Sequence, residues 1–159
     1  MKLNAVTGFL LTAVGATQTQ APRLVVSIEK VAVNELAIQI KNVAPYPLVV
    51  SARTYLVLLQ ATADGSRMPV HWAELKMQGL PGPTAAFHLG PSATSKIRVA
   101  PRSLLWAPDR LGMALEQPLA RQVPPGEYGL QVQILDEREM WWRSNELPAA
   151  ITASGGLTL

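Results

Sequence analysis

The sequence predicts an all-β domain in which two antiparallel sheets enclose one core. Apolar and polar residues alternate with a period of two along several stretches, which is typical of half-buried strands because successive side chains point to opposite faces. Thirteen prolines and eleven glycines are scattered along the 159 residues, and turn residues recur about every ten positions, as they do in sandwich domains. We therefore expect about seven to nine short strands.

The first two strands have the clearest alternation. One is predicted from Arg23 to Val31, and the next begins at Leu36 after a turn at residues 33–35. The inward positions are Leu24, Val26 and Ile28 in the first strand, and Leu36, Ile38 and Ile40 in the second.

A loop and a long apolar strand follow. Residues 42–47 are predicted as a loop because Pro45 and Pro47 cannot donate to a strand ladder. Within the next strand, residues 48–60, the run 55–59 is apolar on both faces, which suits a central strand that is covered on both sides. A buried helix is the alternative, but the turn residues before and after this run favour a strand.

The middle of the chain carries a weaker pattern. Residues 68–72 are predicted as a short edge strand, and residues 79–83, Gly-Leu-Pro-Gly-Pro, as irregular. A further alternating strand runs from Ser95 to Ala100, with Ile97 and Val99 inward. We expect a long irregular or short-helical crossover at residues 101–122, in which 103–106 form a helical turn or a strand extension, and 110–119 a second short helix or an extended segment.

The last part of the chain predicts a hairpin. Pro125-Gly126-Glu127-Tyr128 introduces a strand whose inward residues are Tyr128, Leu130, Val132 and Ile134. A turn at 136–138 leads to a final strand over 139–152, with a bulge at 144–146 and an edge position at Pro148. Tyr128 is expected to place its ring in the core and to return its hydroxyl to nearby backbone, which is the tyrosine corner of sandwich domains.

Four short motifs give the chain a resemblance to a known group of domains. They are Asn42 after an alternating strand, Leu89-Gly-Pro-Ser92 before another, Pro125-Gly126-x-Tyr128-x-Leu-x-Val132, and Ser144-Asn145-Glu-Leu147. In this order they resemble bacterial immunoglobulin-like domains, in particular those grouped with the intracellular proteinase inhibitor of Bacillus type. In that family a proline-glycine turn introduces the strand leading to the last hairpin, and a Ser-Asn pair lies in the last strand.

This resemblance spans about residues 30 to 152. It implies an immunoglobulin-like antiparallel β-sandwich over residues 22–153, followed by a C-terminal tail at 154–159. It also implies structural roles for Tyr128, Gly126 and Asn145. An inhibitory loop does not map onto the sequence through this resemblance.

Residues 1–21 are predicted to be a signal peptide or a flexible N-terminal segment. Lys2 precedes an apolar stretch at 5–16 that ends in small residues and is followed by the polar run 17–20, which is the order found in export signals. The stretch is too short to span a bilayer. We expect a periplasmic or secreted protein, or a cytoplasmic one if this segment is instead a strand or a short helix.

Composition argues against several classes of function. The net charge is only +3, and the basic residues are scattered rather than gathered in a stripe with aromatic residues, so we expect no nucleic-acid partner. There are no cysteines, and His71 and His88 lack the convergent ligands that a metal site needs. Because no nucleophile elbow or phosphate loop is present either, we expect no catalytic, cofactor-binding or metal-binding residue.

The pair Trp141-Trp142 is the most suggestive feature of the sequence. Neighbours on a strand point to opposite faces, so at most one of these rings fills the core unless a bulge intervenes. An exposed tryptophan near Arg138 and Arg143 is typical of a protein interface. The structural alternative is that both tryptophans pack under the 101–122 crossover.

We therefore interpret the chain as a non-catalytic binding or assembly module that presents loops or an edge strand to a protein partner. The first alternative is a proteinase inhibitor, in which the loop with Pro45, Tyr46 and Pro47, or the segment 79–83, blocks an active site. The second is a carbohydrate-binding module that uses Trp141 or Trp142. The third is a fimbrial chaperone or subunit.

Overall fold

A computed structural model describes residues 23–75, 85–111, 115–136 and 139–159. In chain order its strands are β1 (Leu24–Ala32), β2 (Glu35–Asn42), β3 (Leu48–Ala61), β4 (Arg67–Glu74), β5 (Ala85–Leu89), β6 (Thr94–Val99), β7 (Leu105–Trp106), β8 (Gln117–Pro118), β9 (Gly126–Asp136), β10 (Trp141–Ile151) and β11 (Leu157–Thr158). The helical elements of the described residues are a 3₁₀ turn (Pro101–Ser103) and the short helix α1 (Leu119–Gln122). The chain is all-β, as the sequence predicts.

Two antiparallel sheets hold most of these strands. The smaller sheet has the order β1-β2-β6, and the larger has the order β11-β10-β9-β3-β4, with β5 also paired to β3. Strands β7 and β8 form a separate two-stranded sheet. Both sheets contribute to a single apolar cluster, in which Ile38 and Ile40 from β2 join Leu56 from β3 and Val132 and Ile134 from β9.

The alternation read from the sequence places the core residues correctly. Leu24, Val26 and Ile28 are buried in β1, and Leu36, Ile38 and Ile40 are buried in β2. The inward residues of β9 are buried in the same way. Strand β3 lies between β9 and β4, and its residues 55–59 are buried on both faces. The apolar run 55–59 is therefore a strand and not a helix, and its side chains are buried on both faces of the sheet.

Tyr128 anchors the start of β9. Its side chain is buried, and its hydroxyl donates a hydrogen bond of 2.9 Å to the carbonyl oxygen of Pro124. Gly126 has a φ of 156° and lies directly beneath the Tyr128 ring. The ring therefore packs in the core while its polar end is satisfied by local backbone.

The crossover at 101–122 contains short helical elements, as the sequence predicts, but they lie at other residues than expected. The helical turn was expected at residues 103–106, but it begins earlier, at Pro101. Trp106 lies in β7 instead. Its indole N–H donates a hydrogen bond of 3.3 Å to the carbonyl oxygen of Pro101. Within 110–119, the described residues include β8 at 117–118, and α1 starts only at Leu119. Trp106 and Leu119 are buried, so burial of these apolar side chains determines the path of the segment.

The prediction of a C-terminal tail at 154–159 is wrong. These residues turn back and form β11, which pairs with Ala150 and Ile151 of β10. Leu157 is buried in the main core, and the Arg102 side chain donates two hydrogen bonds to its carbonyl oxygen. The pair Gly155-Gly156 lies in the turn between β10 and β11, where Gly155 adopts a φ of 78°, a conformation that favours glycine.

Several predictions fall on residues that the structure leaves undescribed. These are the N-terminal segment 1–21, the irregular segment 79–83, and Glu137 and Arg138 in the turn before β10. Among the described residues, no helix is long and apolar enough to cross a membrane.

Candidate binding surface

The larger sheet carries a second apolar cluster on the face turned away from the main core. Tyr55, Val57 and Leu59 of β3 are buried there, and the partly buried rings of Trp72 and Trp141 pack against them. We call this group the outer-face cluster. The strands alternate, so the neighbouring residues Leu56 and Leu58 enter the main core. The sheet is therefore covered on both sides in its centre.

Three aromatic rings form the top of the outer-face cluster. Tyr55 and Trp72 meet edge to face at a centroid distance of 5.6 Å and an interplanar angle of 89°. The Trp141 ring lies 6.3 Å from Tyr55 and 6.0 Å from Trp72, tilted against both. These are the distances and orientations at which aromatic pairs stabilise each other, by about 0.5–1.5 kcal/mol per pair. The position of Trp141 is thus fixed by packing.

The two adjacent tryptophans lie on opposite faces of β10. Trp142 packs against the main core, whereas Trp141 belongs to the outer-face cluster. This agrees with strand geometry, which allows only one of the two rings to enter the main core.

Trp141 also contacts the crossover. The guanidinium carbon of Arg110 lies 5.4 Å from the centroid of its ring, which is the geometry of a cation–π contact. Leu111, the next residue, is 85% exposed, and Met140, which precedes Trp141, is 48% exposed. An aromatic ring held by packing therefore has a guanidinium above it, and the residues next to Arg110 and Trp141 in the sequence expose apolar side chains.

Two further arginines lie on the same face of the sheet. Arg53 of β3 and Trp141 are both paired with Leu135 of β9, from opposite sides. Arg143 follows Trp141 by two residues and is paired with Gln133. The side chains of Arg53 and Arg143 are exposed, and neither forms an ion pair with a residue that the structure describes.

A bulge below Arg143 sets which residues of β10 face outward. The register of β10 against β9 shifts between Arg143 and Glu146, as the Ser144-Asn-Glu146 motif predicts. Ser144 fills the gap by accepting a hydrogen bond from the Val132 amide at 2.9 Å, and Asn145 points to β1 instead. Because two residues occupy the place of one, Glu146 returns to the outer face.

Glu146 closes the lower end of the face. Its carboxylate lies 2.8 Å from the Arg67 guanidinium of β4 and crosses directly over Gly129. A Cβ on Gly129 would stand 1.9 Å from the Glu146 Oε1 atom. Glycine at this position of β9 therefore makes room for the ion pair.

The loop with Pro45, Tyr46 and Pro47 forms a separate feature. The buried amide of Asn42 donates hydrogen bonds to the carbonyl oxygens of Tyr46, Leu89 and Gly90 at 2.9–3.1 Å. Tyr46 is 43% exposed, and the Arg23 guanidinium lies 5.7 Å from its ring centroid. None of these residues belongs to the outer-face cluster. The structure thus separates two groups that the sequence proposed as binding residues.

Two side chains outside the outer-face cluster have a lowered pKa. Burial lowers the pKa of His71, and a hydrogen bond to the backbone of Gln122 offsets part of this effect. Hydrogen bonds from Thr62 and Ser66 lower the pKa of Asp64 to about 2 in an exposed turn. No group of three His, Cys, Asp or Glu side chains that suits a metal ion occurs within the described ranges.

Sequence reasoning found part of this surface. It singled out Trp141 and Arg143 but missed Tyr55, Trp72 and Arg110. The signal for Tyr55 was present, because an apolar run on both faces of a strand requires cover on both sides. Arg110 is separated from Trp141 by thirty-one positions and lies in an irregular segment, so no local pattern connects the two residues.

No protein-family model matches the chain, and no curated protein matches its sequence. Among solved structures, it is similar to Pseudomonas fluorescens alkylpurine DNA glycosylase AlkC bound to DNA containing an abasic site analog, with 17% identity and a TM-score of 0.40. That match covers 82% of this chain, which spans about a third of the glycosylase chain, 31%. Structural genomics target SoR45 is 15% identical with a TM-score of 0.30, over 86% of this chain and 90% of the target. At these values, neither likeness bears on function.

Proposed function

We propose that this chain is a non-catalytic binding module, built on an immunoglobulin-like sandwich, that docks a protein partner on the outer face of its larger sheet. The observation that carries the proposal is the position of Trp141. Its ring lies outside the main core, packed against Tyr55 and Trp72, with the Arg110 guanidinium over it.

The strand order supports the immunoglobulin-like part of the proposal. The order β1-β2-β6 faces the order β10-β9-β3-β4, which is the arrangement expected when strands A, B and E face strands G, F, C and C′. The Tyr128 hydroxyl bonded to the Pro124 carbonyl is the contact expected of a tyrosine corner at the start of strand F.

The residue types on the surface favour a protein partner. Tryptophan, arginine and methionine are enriched at the centres of protein interfaces, and tryptophan and arginine supply most of the residues whose truncation weakens binding strongly. The base of the cluster is buried and packed, so a partner that contacts Trp141 meets a side chain that is already ordered. Less conformational entropy is then lost on binding.

The alternatives find less support in the geometry. A sugar ring stacks on a free aromatic face, but the Arg110 guanidinium lies over Trp141, and Trp142 packs against the main core. A proteinase inhibitor would need a stiff, accessible loop. The hydrogen bond from Asn42 to the Tyr46 carbonyl does stiffen the loop with Pro45 and Pro47, but the Arg23 guanidinium lies over one face of the Tyr46 ring. Export remains part of the proposal and rests on the sequence of residues 1–21 alone.

The test is capture of a partner by the purified chain from an extract of the source cells, followed by a binding measurement with the purified partner. Trp141→Ser is compared with the wild type and with Val33→Ser, which alters a side chain that is 75% exposed at the β1–β2 turn. We expect Trp141→Ser to weaken the purified complex at least about tenfold and Val33→Ser to leave it unchanged. Equal affinity of the wild type and Trp141→Ser for every captured protein would contradict the proposal.

A further inference from the structure

The arginines carried by strands fall into two groups. Arg67 of β4 pairs with Glu146, and Arg98 of β6 pairs with Glu35 at 3.0 Å. Arg53 of β3 and Arg143 of β10 form no ion pair with a described residue, although both are exposed on the face that carries Trp141. The part of the sheet around Trp141 thus presents two guanidinium groups with no carboxylate of the described chain bound to them.

The register of the sheet gives the spacing of these two groups. Arg53 and Arg143 are two strands apart and differ by one two-residue step along the strands. With about 4.8 Å between strands and about 3.4 Å per residue, their Cα atoms are about 12 Å apart. The line between them passes between Leu135 and Gln133 of β9. Leu135 is half-buried, so an apolar side chain lies near the middle of this diagonal.

Further apolar side chains are exposed in the same region of the chain. Val49 lies on the same face of β3 as Arg53 and is 55% exposed. Met140, which precedes Trp141, and Leu111, which follows Arg110, are also exposed. An extended peptide that crosses this face would therefore meet positive charge at two points and the apolar side chain of Leu135 between them.

We propose that the occupant of this surface is an extended acidic segment of another protein, with a carboxylate, an apolar side chain and a second carboxylate at alternate positions. The inference rests on the proposed function and names the chemistry of its partner. Alternate residues of an extended strand point to the same side, and residues four apart are separated by about 13 Å, which matches the spacing of Arg53 and Arg143. The arginines bind the carboxylates, and the apolar side chain lies on Leu135 beside Trp141.

Charge also excludes a second copy of this chain as the favoured occupant. The chain has a net charge of +3, and two copies that meet through Arg53 and Arg143 would bring like charges together. Like-charge contacts oppose association, whereas complementary potentials accelerate and orient it.

The experiment uses a blocked peptide, Gly-Glu-Thr-Leu-Thr-Glu-Gly, and follows the indole and backbone amide resonances of the full chain by NMR titration. Matched peptides with glutamine or lysine in place of both glutamates measure the part that charge plays. A short DNA duplex tests for general polyanion binding. The double variant Arg53→Gln/Arg143→Gln is compared with Lys41→Gln/Lys96→Gln, which removes the same charge from the smaller sheet.

We expect the glutamate peptide to shift the Trp141 indole resonance and to bind at least tenfold more tightly than the glutamine peptide. The variant Arg53→Gln/Arg143→Gln should bind the glutamate peptide at least tenfold more weakly than the wild type. The variant Lys41→Gln/Lys96→Gln should bind it as tightly as the wild type. Equal binding of the glutamine peptide, or binding that does not depend on the two arginines, would overturn the inference. If the duplex binds more tightly than the glutamate peptide and also requires Arg53 and Arg143, the surface binds polyanions in general and the inference of an acidic peptide is overturned.

The outcome separates this inference from the proposed function. If the glutamate peptide does not bind while Trp141→Ser still abolishes capture of the natural partner, the surface is a docking site with different chemistry. If the peptide binds through Arg53 and Arg143 but capture does not depend on Trp141, the acidic site stands and the docking role of Trp141 fails.

Discussion

The side chain of Asn145 takes the place of a neighbouring strand for Ile28. Its Oδ1 atom accepts a hydrogen bond from the Ile28 amide at 2.9 Å, and its Nδ2 atom donates one to the Ile28 carbonyl oxygen at 2.9 Å. Ile28 lies in the smaller sheet and Asn145 in the larger, so this pair of bonds joins the two sheets. The Ser144-Asn145 bulge has a structural role, because it turns Asn145 out of the β9–β10 ladder and towards β1.

We expect Asn145→Ala to destabilise the fold. Both hydrogen bonds are partly buried, and each contributes about 0.5–1.5 kcal/mol, so the free energy of unfolding should fall by about 1–3 kcal/mol. Urea denaturation followed by circular dichroism measures the change. Gln39→Ala removes an exposed hydrogen bond from Gln39 of β2 to Glu29 of β1; it serves as the control and should stay within about 0.5 kcal/mol of the wild type. An equal loss in both variants would show that the Asn145 bridge contributes no more than a surface contact.

Gly129→Ala tests the ion pair that crosses β9. A methyl group at this position would overlap the Glu146 carboxylate and force it away from Arg67. We expect a loss of about 1–3 kcal/mol, which is typical when atoms are added to a filled site.

The same substitution in a Glu146→Ala background provides the control for Gly129→Ala. Since alanine at 146 removes the atoms that the new methyl group meets, most of the loss should disappear. A double-mutant cycle by urea denaturation measures the coupling. An additive cycle would mean that Gly129 is required for a reason unrelated to Glu146.

The stability of the fold should depend on pH through His71. Its Nδ1 atom is buried without a hydrogen bond to any described residue, and burial lowers its pKa below the usual value of 6.5. As pH falls below about 6.5, the unfolded chain binds a proton before the folded chain does, so the folded state loses stability until the pH passes the folded pKa. Stability is therefore complete above this window.

Urea midpoints between about pH 8 and about pH 5 measure this effect against the titration of other groups. In His71→Gln the part of the acid sensitivity that comes from His71 should be absent. His88→Gln, which alters an exposed histidine, should keep it. An unchanged pH profile in His71→Gln would contradict the assignment.

The core of the fold could be predicted from the sequence because alternation is a local signal. The positions of Leu36, Ile38 and Ile40 follow from period-two burial alone, and so does the buried face of β9. The bulge at Ser144 was also predictable, since the polar pair interrupts an apolar alternation. The C-terminal strand was not, because β11 is only two residues long and a pair of residues has no periodicity.

The surface was harder to predict than the core. That Trp141 and Trp142 point to opposite faces follows from strand geometry, but which ring faces outward depends on the register of β10 against β9. The contact with Arg110 depends on the path of the crossover, which is fixed by buried Trp106 and Leu119 and not by a local motif. Long-range packing therefore decided what the sequence left open.

Docking on the outer face of the larger sheet is tested most directly by the footprint of the natural partner on this chain, mapped by NMR cross-saturation in the complex. We predict that it centres on the indole of Trp141 and includes the exposed side chains of Arg53 and Arg143. A footprint confined to the loop with Pro45, Tyr46 and Pro47, or to the smaller sheet, would contradict the claim that binding takes place on the outer face of the larger sheet.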